Sequence, residues 1–165
     1  MILASPRENR LAVTTPRDQV SAIMSTKVVT VKATEKVNAA LRAMVRHKIG
    51  SILVVDKGEP VGIITERDVS TRLAKGQNLR VMTAKRTMSK PLLTVPPSME
   101  IWQAVELMVR EDLRRLPVIE NKKLLGMVTE KDILQWLVKV AYDPNMPEDL
   151  RKLLETRAQA HSLAH

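Results

Sequence analysis

The strongest constraint on the fold is a seven-residue stretch that the chain contains twice. Gly62-Ile63-Ile64-Thr65-Glu66-Arg67-Asp68 returns 64 residues later as Gly126-Met127-Val128-Thr129-Glu130-Lys131-Asp132. Laying residues 24–69 over 88–133 at that offset, without a gap, makes thirteen of 46 pairs identical. Chance pairing at ordinary residue frequencies gives about three. Many remaining pairs exchange one apolar residue for another, among them Val37/Ile101, Leu41/Val105, Ile49/Leu113 and Ile64/Val128. One structural unit used twice is the economical account.

The order of elements within a unit follows from hydrophobic period. Val28–Val31 and Leu92–Val95 are short β-type runs. Thr34 and Ser98 stand where caps of the following helices are expected. Val37, Ala40, Leu41, Met44 and Val45 recur at helical spacing, as do Ile101, Ala104, Val105, Met108 and Val109. Ile52–Val55 and Leu116–Ile119 read as buried strands. Turns follow at Lys57-Gly58-Glu59-Pro60 and Asn121-Lys122-Lys123, then second strands at Val61–Ile64 and Leu125–Val128. Helices are expected over Glu66–Ala74 and Glu130–Ala141. Lys75-Gly76-Gln77-Asn78 is a helix stop between the units. Each unit is therefore β-α-β-β-α, with unit one at 15–78 and unit two at 79–141. A unit of this size buries too little surface alone. The expected fold class is α/β (α+β): two units packed about an approximate two-fold axis.

The ends differ from the repeat. Residues 1–14 lack sustained periodicity and read as a flexible leader. Thr15-Pro16 looks like an N-cap and first helical position, opening a short helix over Gln19–Met24. After Tyr142, Asp143-Pro144-Asn145-Met146-Pro147 is a breaker, and Pro147-Glu148-Asp149 starts a tail helix striped by Leu150, Leu153, Leu154 and Ala158.

The doubled stretch supports two readings. A Thr with an acid three residues on is close to a capping box. The same geometry suits a ligand: a helix N-terminus favours phosphate, and a carboxylate accepts two hydrogen bonds from vicinal hydroxyls. Gly62 and Gly126 mark a place where a ligand or another backbone approaches closely. Charge enters here. The net +9 lies wholly in residues 20–141, because residues 1–19 sum to +1 and 142–165 to −1. Anionic partners are favoured: nucleotides, nucleic acid or an acidic protein face. With no Phe, one Tyr and two Trp, stacking platforms for single strands are scarce, although phosphate-only duplex binding stays open.

Catalysis finds little support. Cysteine is absent, so there is no thiolate nucleophile or thiolate metal site, and a reducing cytoplasm is the simplest home. His47 ends a helix, and His161 and His165 lie in the tail, so no metal cluster is spelled out. No run of apolar residues is long enough to cross a membrane. Trp102 and Trp136 replace Asn38 and Arg72 of the first unit, as core or subunit packing would.

Gly-Ile-Ile-Thr-Glu-Arg-Asp, Gly-Met-Val-Thr-Glu-Lys-Asp, the Met24-Ser25 and Met88-Ser89 pairs, and Leu116-Pro117-Val118-Ile119 together resemble a tandem pair of CBS domains, a Bateman module, over residues 20–141. The resemblance implies a non-enzymatic sensor of adenosine compounds: AMP, ADP, ATP, S-adenosylmethionine or NAD as regulatory ligand, with no catalytic cofactor. It assigns the ribose to Asp68 and Asp132, and ribose or phosphate to Thr65 and Thr129. It places adenine near Thr30, Val31, Ser51 and Ile52 in one site, and near Thr94, Val95, Leu116 and Pro117 in the other. It further implies a homodimer paired through helices and a downstream protein target. Arg114 and Arg115 stand where unit one has Gly50 and Ser51, so the two sites are expected to be unequal. Those arginines suit phosphate, as do Arg67 and Lys131. A basic nucleic-acid binder and an interaction module with empty sites remain the alternatives.

Overall fold

The computed structural model describes residues 18–141. The leader, the Thr15-Pro16 start and the tail from Tyr142, with His161 and His165, lie outside the described residues. Unit one runs β1 (Thr30–Lys32), α1 (Val37–His47), β2 (Ser51–Asp56), β3 (Glu59–Thr65) and α2 (Glu66–Ala74). A short helix, α3 (Ala84–Thr87), occupies the link. Unit two follows with α4 (Ile101–Arg110), β4 (Arg115–Glu120), β5 (Lys123–Thr129) and α5 (Glu130–Ala141). The fold is mixed α and β, with five helices of the α type and two small sheets among the described residues.

In the first sheet β2 is central, parallel to β1 and antiparallel to β3. A central strand is covered on both faces, which explains its unbroken apolar run, Ile52-Leu53-Val54, all fully buried. The hairpins β2–β3 and β4–β5 turn on Lys57-Gly58 and Asn121-Lys122, with positive φ at both positions, as the tight turn of a twisted hairpin requires. Each hairpin also carries a bulge at the same place in the repeat, after Val54 and after Val118.

Three local expectations are corrected. First, β1 covers Thr30–Lys32 rather than Val28–Val31, and the run Leu92–Val95 forms no strand, only one bridge, Val95 to Val118. In unit one the ladder continues when Ala33 N donates to Val55 O at 2.8 Å. The equivalent residue of unit two is Pro97, behind Pro96, and proline has no N–H to give. Second, Thr34 and Ser98 are not caps. Lys36 and Glu100 hold those positions, and the first N–H of α1 is satisfied from the link, by Met82 O at 2.9 Å. Third, the short helix before the repeat is a single 3-10 turn, Val20–Ala22.

The two units exchange their leading segments. Val20 is fully buried in the second core, among Val95, Ile101, Leu116 and Val128. Leu79, Ala84 and Met88, from the link, complete the first core around Val37, Ile52 and Ile64. The exchange continues into the sheets. Ser25 bridges Met127 of β5, and Ser89 bridges Ile63 of β3. The repeat boundary near residue 78 therefore divides the chain in sequence, while each core takes part of its wall from the other unit.

The two strand glycines are explained by this crossing. A Cβ on Gly62 would lie 2.5 Å from Met88 Sδ and 2.9 Å from Ser89 O. On Gly126 it would lie 2.8 Å from both Met24 Sδ and Ser25 O. The close approach is the other unit's backbone and its methionine. Gly62→Ala and Gly126→Ala should each cost about 1–3 kcal/mol through overpacking, read as a lower urea midpoint. Shortening Met88 in the Gly62→Ala background should recover only part of the loss, because the Ser89 carbonyl cannot withdraw.

Candidate functional site

Each helix mouth is built by local sequence. Thr65 is extended and caps α2. Asp68 N donates to Thr65 Oγ1 at 3.2 Å, and Asp68 Oδ2 accepts from Thr65 N at 2.8 Å and from Thr65 Oγ1 at 2.6 Å. Unit two repeats this at α5, with Thr129 N and Oγ1 donating to Asp132 Oδ2 at 2.8 and 2.6 Å. Asp is therefore long enough to close the box, and the capping role is real in both copies.

The first mouth opens into a cleft of about 360 Å³ between the units. Unit one contributes Thr65, Glu66, Arg67 and Asp68. Unit two contributes an apolar wall of Leu92, Leu93 and Pro117, with Arg114 and Arg115 beside it. Two polar contacts tie the walls together. Arg67 Nη1 donates to Asp112 Oδ2 at 2.9 Å across the cleft, and Ser89 Oγ donates to the free oxygen of Asp68 at 2.5 Å. The hydrogen bond and charge of each partner hold the Arg67 pKa above its ordinary value and that of Asp112 below it. Both groups are exposed, so this ion pair is easily opened.

Arg115 has a different role. Its Nη1 donates to Ser51 Oγ at 2.6 Å, and Ser51 is its own equivalent in the repeat, so the contact lies on the pseudo-two-fold axis. Burial pushes the Arg115 pKa down, while Glu66 and, less strongly, Glu130 push it up. Those glutamates open α2 and α5, so one guanidinium sits in the field of both helix mouths.

The remaining predicted site residues divide clearly. Thr65, Arg67, Asp68, Arg114, Arg115 and Pro117 converge on this cleft. Val31, Ile52, Val95 and Leu116 are buried in the two cores, and Ser51 is buried under Arg115. Thr30 and Thr94 are exposed beside them. Thr129 and Asp132 form the second mouth with exposed Lys131 next to it. Sequence reasoning passed over Ser89, Asp112 and the Leu92-Leu93 wall as site residues. Ser89 had a signal, its place in the repeated Met-Ser pair. Asp112 had one too, since its repeat equivalent is Lys48, of opposite charge.

The fold and cleft define a paired α/β module whose ligand-sized cleft lies at a strand-to-helix junction between its two halves. The chain belongs to the CBS domain family: the family model matches residues 20–75 and 84–139. Tandem CBS domains form a family of regulatory modules. An uncharacterized protein of Methanopyrus kandleri is 40% identical over 131 residues, covering 78% of this chain and 66% of that relative. This chain thus accounts for just under two thirds of that relative's length. Among solved structures, Hypoxic Response Protein I with two coordinated zinc ions is 29% identical, with a TM-score of 0.65, covering 71% of this chain and 97% of that one. A hexameric CBS-CP12 protein from bloom-forming cyanobacteria is 29% identical, with a TM-score of 0.67, covering 88% and 83%.

Arg115→Met should keep the aliphatic packing but remove the bond to Ser51. A charged hydrogen bond in a half-buried place contributes about 1–2 kcal/mol. Thermal unfolding should therefore shift down by a few degrees, while Arg114→Met, at the exposed neighbour, should leave the midpoint nearly unchanged.

Proposed function

We propose that the chain is a non-catalytic regulatory module that binds adenosine-containing ligands in the clefts between its CBS units. One observation carries this reading: the inter-unit cleft joins a helix mouth with Thr65 and Asp68 to an apolar wall and an arginine pair. The apolar wall suits a base, the carboxylate suits ribose hydroxyls, and the arginines with the helix N-terminus suit phosphate. Asp132 and Thr129 supply the same chemistry at the second mouth. Ligand binding favours one arrangement of the two units, and a partner protein reads the difference.

Self-association belongs to the same proposal. Val45 on α1 and its repeat equivalent Val109 on α4 are 79% and 78% exposed, and Leu134 and Val138 on α5 are exposed as well. Apolar side chains on equivalent helices suit a symmetric contact with a second copy. A cytoplasmic location fits a chain without cysteine and with no described helix long and apolar enough to cross a membrane.

A second reading is favoured by the charge distribution. Residues 69–99 hold six basic residues, Arg72, Lys75, Arg80, Lys85, Arg86 and Lys90, and no acid. Such a segment suits a nucleic-acid phosphate backbone, with affinity falling steeply as salt rises.

A thermal-shift panel separates the readings. At about 100 times its dissociation constant, a bound adenosine compound should raise the midpoint by roughly 5–10 °C. Asp68→Ala or Asp132→Ala should reduce that rise, each variant being compared with its own ligand-free midpoint because the lost cap itself costs about 1 kcal/mol. No rise with AMP, ADP, ATP, S-adenosylmethionine or NAD, against a salt-sensitive rise with duplex DNA, would reverse the ranking. No rise with either would leave an interaction module with empty sites.

A further inference from the structure

The repeat surrounds the two helix mouths with different charges, and the largest single change is at one helix end, Asp112 against Lys48. The Asp68 cleft is lined by three cations, Arg67, Arg114 and Arg115, and three carboxylates, Glu66, Asp68 and Asp112. Its sum is zero, and Arg67 is already engaged by Asp112 at 2.9 Å. The repeat and the equivalent bridges, Ser25 to Met127 and Ser89 to Ile63, define the matching residues of the Asp132 cleft. There Lys131 replaces Arg67, Lys48 replaces Asp112, and Lys27 replaces Pro91. Glu130 and Asp132 remain, and Arg114 takes the place of the lining Gly50, so four cations face two carboxylates, and two lysines stand where the first cleft has an ion pair. The ribose positions differ as well. The second oxygen of Asp68 is taken by Ser89 Oγ, whereas no hydrogen bond joins Ser25 to Asp132 among the described residues.

We infer that the two clefts sort ligands by charge. The Asp132 cleft takes the polyphosphate, and the Asp68 cleft takes an adenosine compound of low net charge. This deepens the adenosine reading and rests on it. Asp112 is the specificity-determining residue. It sits within reach of the guanidinium that would otherwise meet a phosphate, and its carboxylate repels one. Its backbone is left-handed, with φ 49°, and Lys48 adopts φ 53° at the equivalent helix end. The chain therefore already carries a lysine in this backbone conformation, so Asp112→Lys is a conservative test of charge.

The experiment is titration calorimetry with adenosine and with ATP on four proteins: wild type, Asp132→Ala, Asp68→Ala, and Asp132→Ala/Asp112→Lys. Wild type should bind ATP tightly, Asp68→Ala should retain that site, and Asp132→Ala should lose it. Adding Asp112→Lys to Asp132→Ala should strengthen ATP binding roughly ten-fold at low salt, with the gain shrinking as salt rises. Adenosine affinity should be the same in both. The charge assignment falls if ATP binding is lost in Asp68→Ala but kept in Asp132→Ala, or if Asp112→Lys leaves ATP unchanged in the double variant. Failure of both compounds to bind any of the four proteins overturns the adenosine reading, and this inference with it.

Discussion

The structure depends on two methionines lying over two glycines. Met88 crosses Gly62, Met24 crosses Gly126, and the following serine backbone of each pairs with the strand it crosses. Each contact joins one unit's leading segment to the other unit's hairpin. A lone unit would lose a wall of its core: unit one would lack Leu79, Ala84 and Met88, and unit two would lack Val20. Units of this size bury too little apolar surface to stand alone, and the exchange makes the pair the smallest stable body.

The cleft follows from that exchange. Because Ser89 is drawn onto β3, the segment Pro91-Leu92-Leu93 that follows it is laid beside the mouth of α2. A helix start from one unit and an apolar wall from the other then face each other. The capping box keeps the mouth formed without a ligand, and Ser89 adds a third hydrogen bond to Asp68. The proposed site would use the atoms that form the cap, so the capping role does not exclude a binding one. Any relative movement of the units must also act on Arg115, which joins the halves at their symmetry axis and feels a carboxylate from each side.

Much of this was legible in the chain. The hairpins, α2 and α5 were readable because their signals are local: an apolar run, a turn, a cap and a helical period within a dozen residues. The pairing of units was readable from the ungapped offset. The exchange was not. In a repeat, Met24 over Gly62 and Met24 over Gly126 present the same residue types, so alignment cannot tell a contact within a unit from one between units. The missing first strand of unit two could have been read from Pro96-Pro97, since the N–H that extends the ladder is absent there. The site wall at Leu92-Leu93 and the bridge from Arg67 to Asp112 join residues far apart in sequence, and no local pattern announces them.

The sequence by itself determined that there are two α/β units, that each has a Thr–Asp helix mouth, and that the two mouths differ in their neighbouring charges. Each of these rests on residue type and spacing along the chain. Tertiary structure alone decided which segment covers which glycine, which wall faces the first mouth, and that Asp112 meets Arg67. The reason is steric and topological. The crossing of the leading segments selects the partner of every inter-unit contact, and either selection would satisfy the same residue pattern.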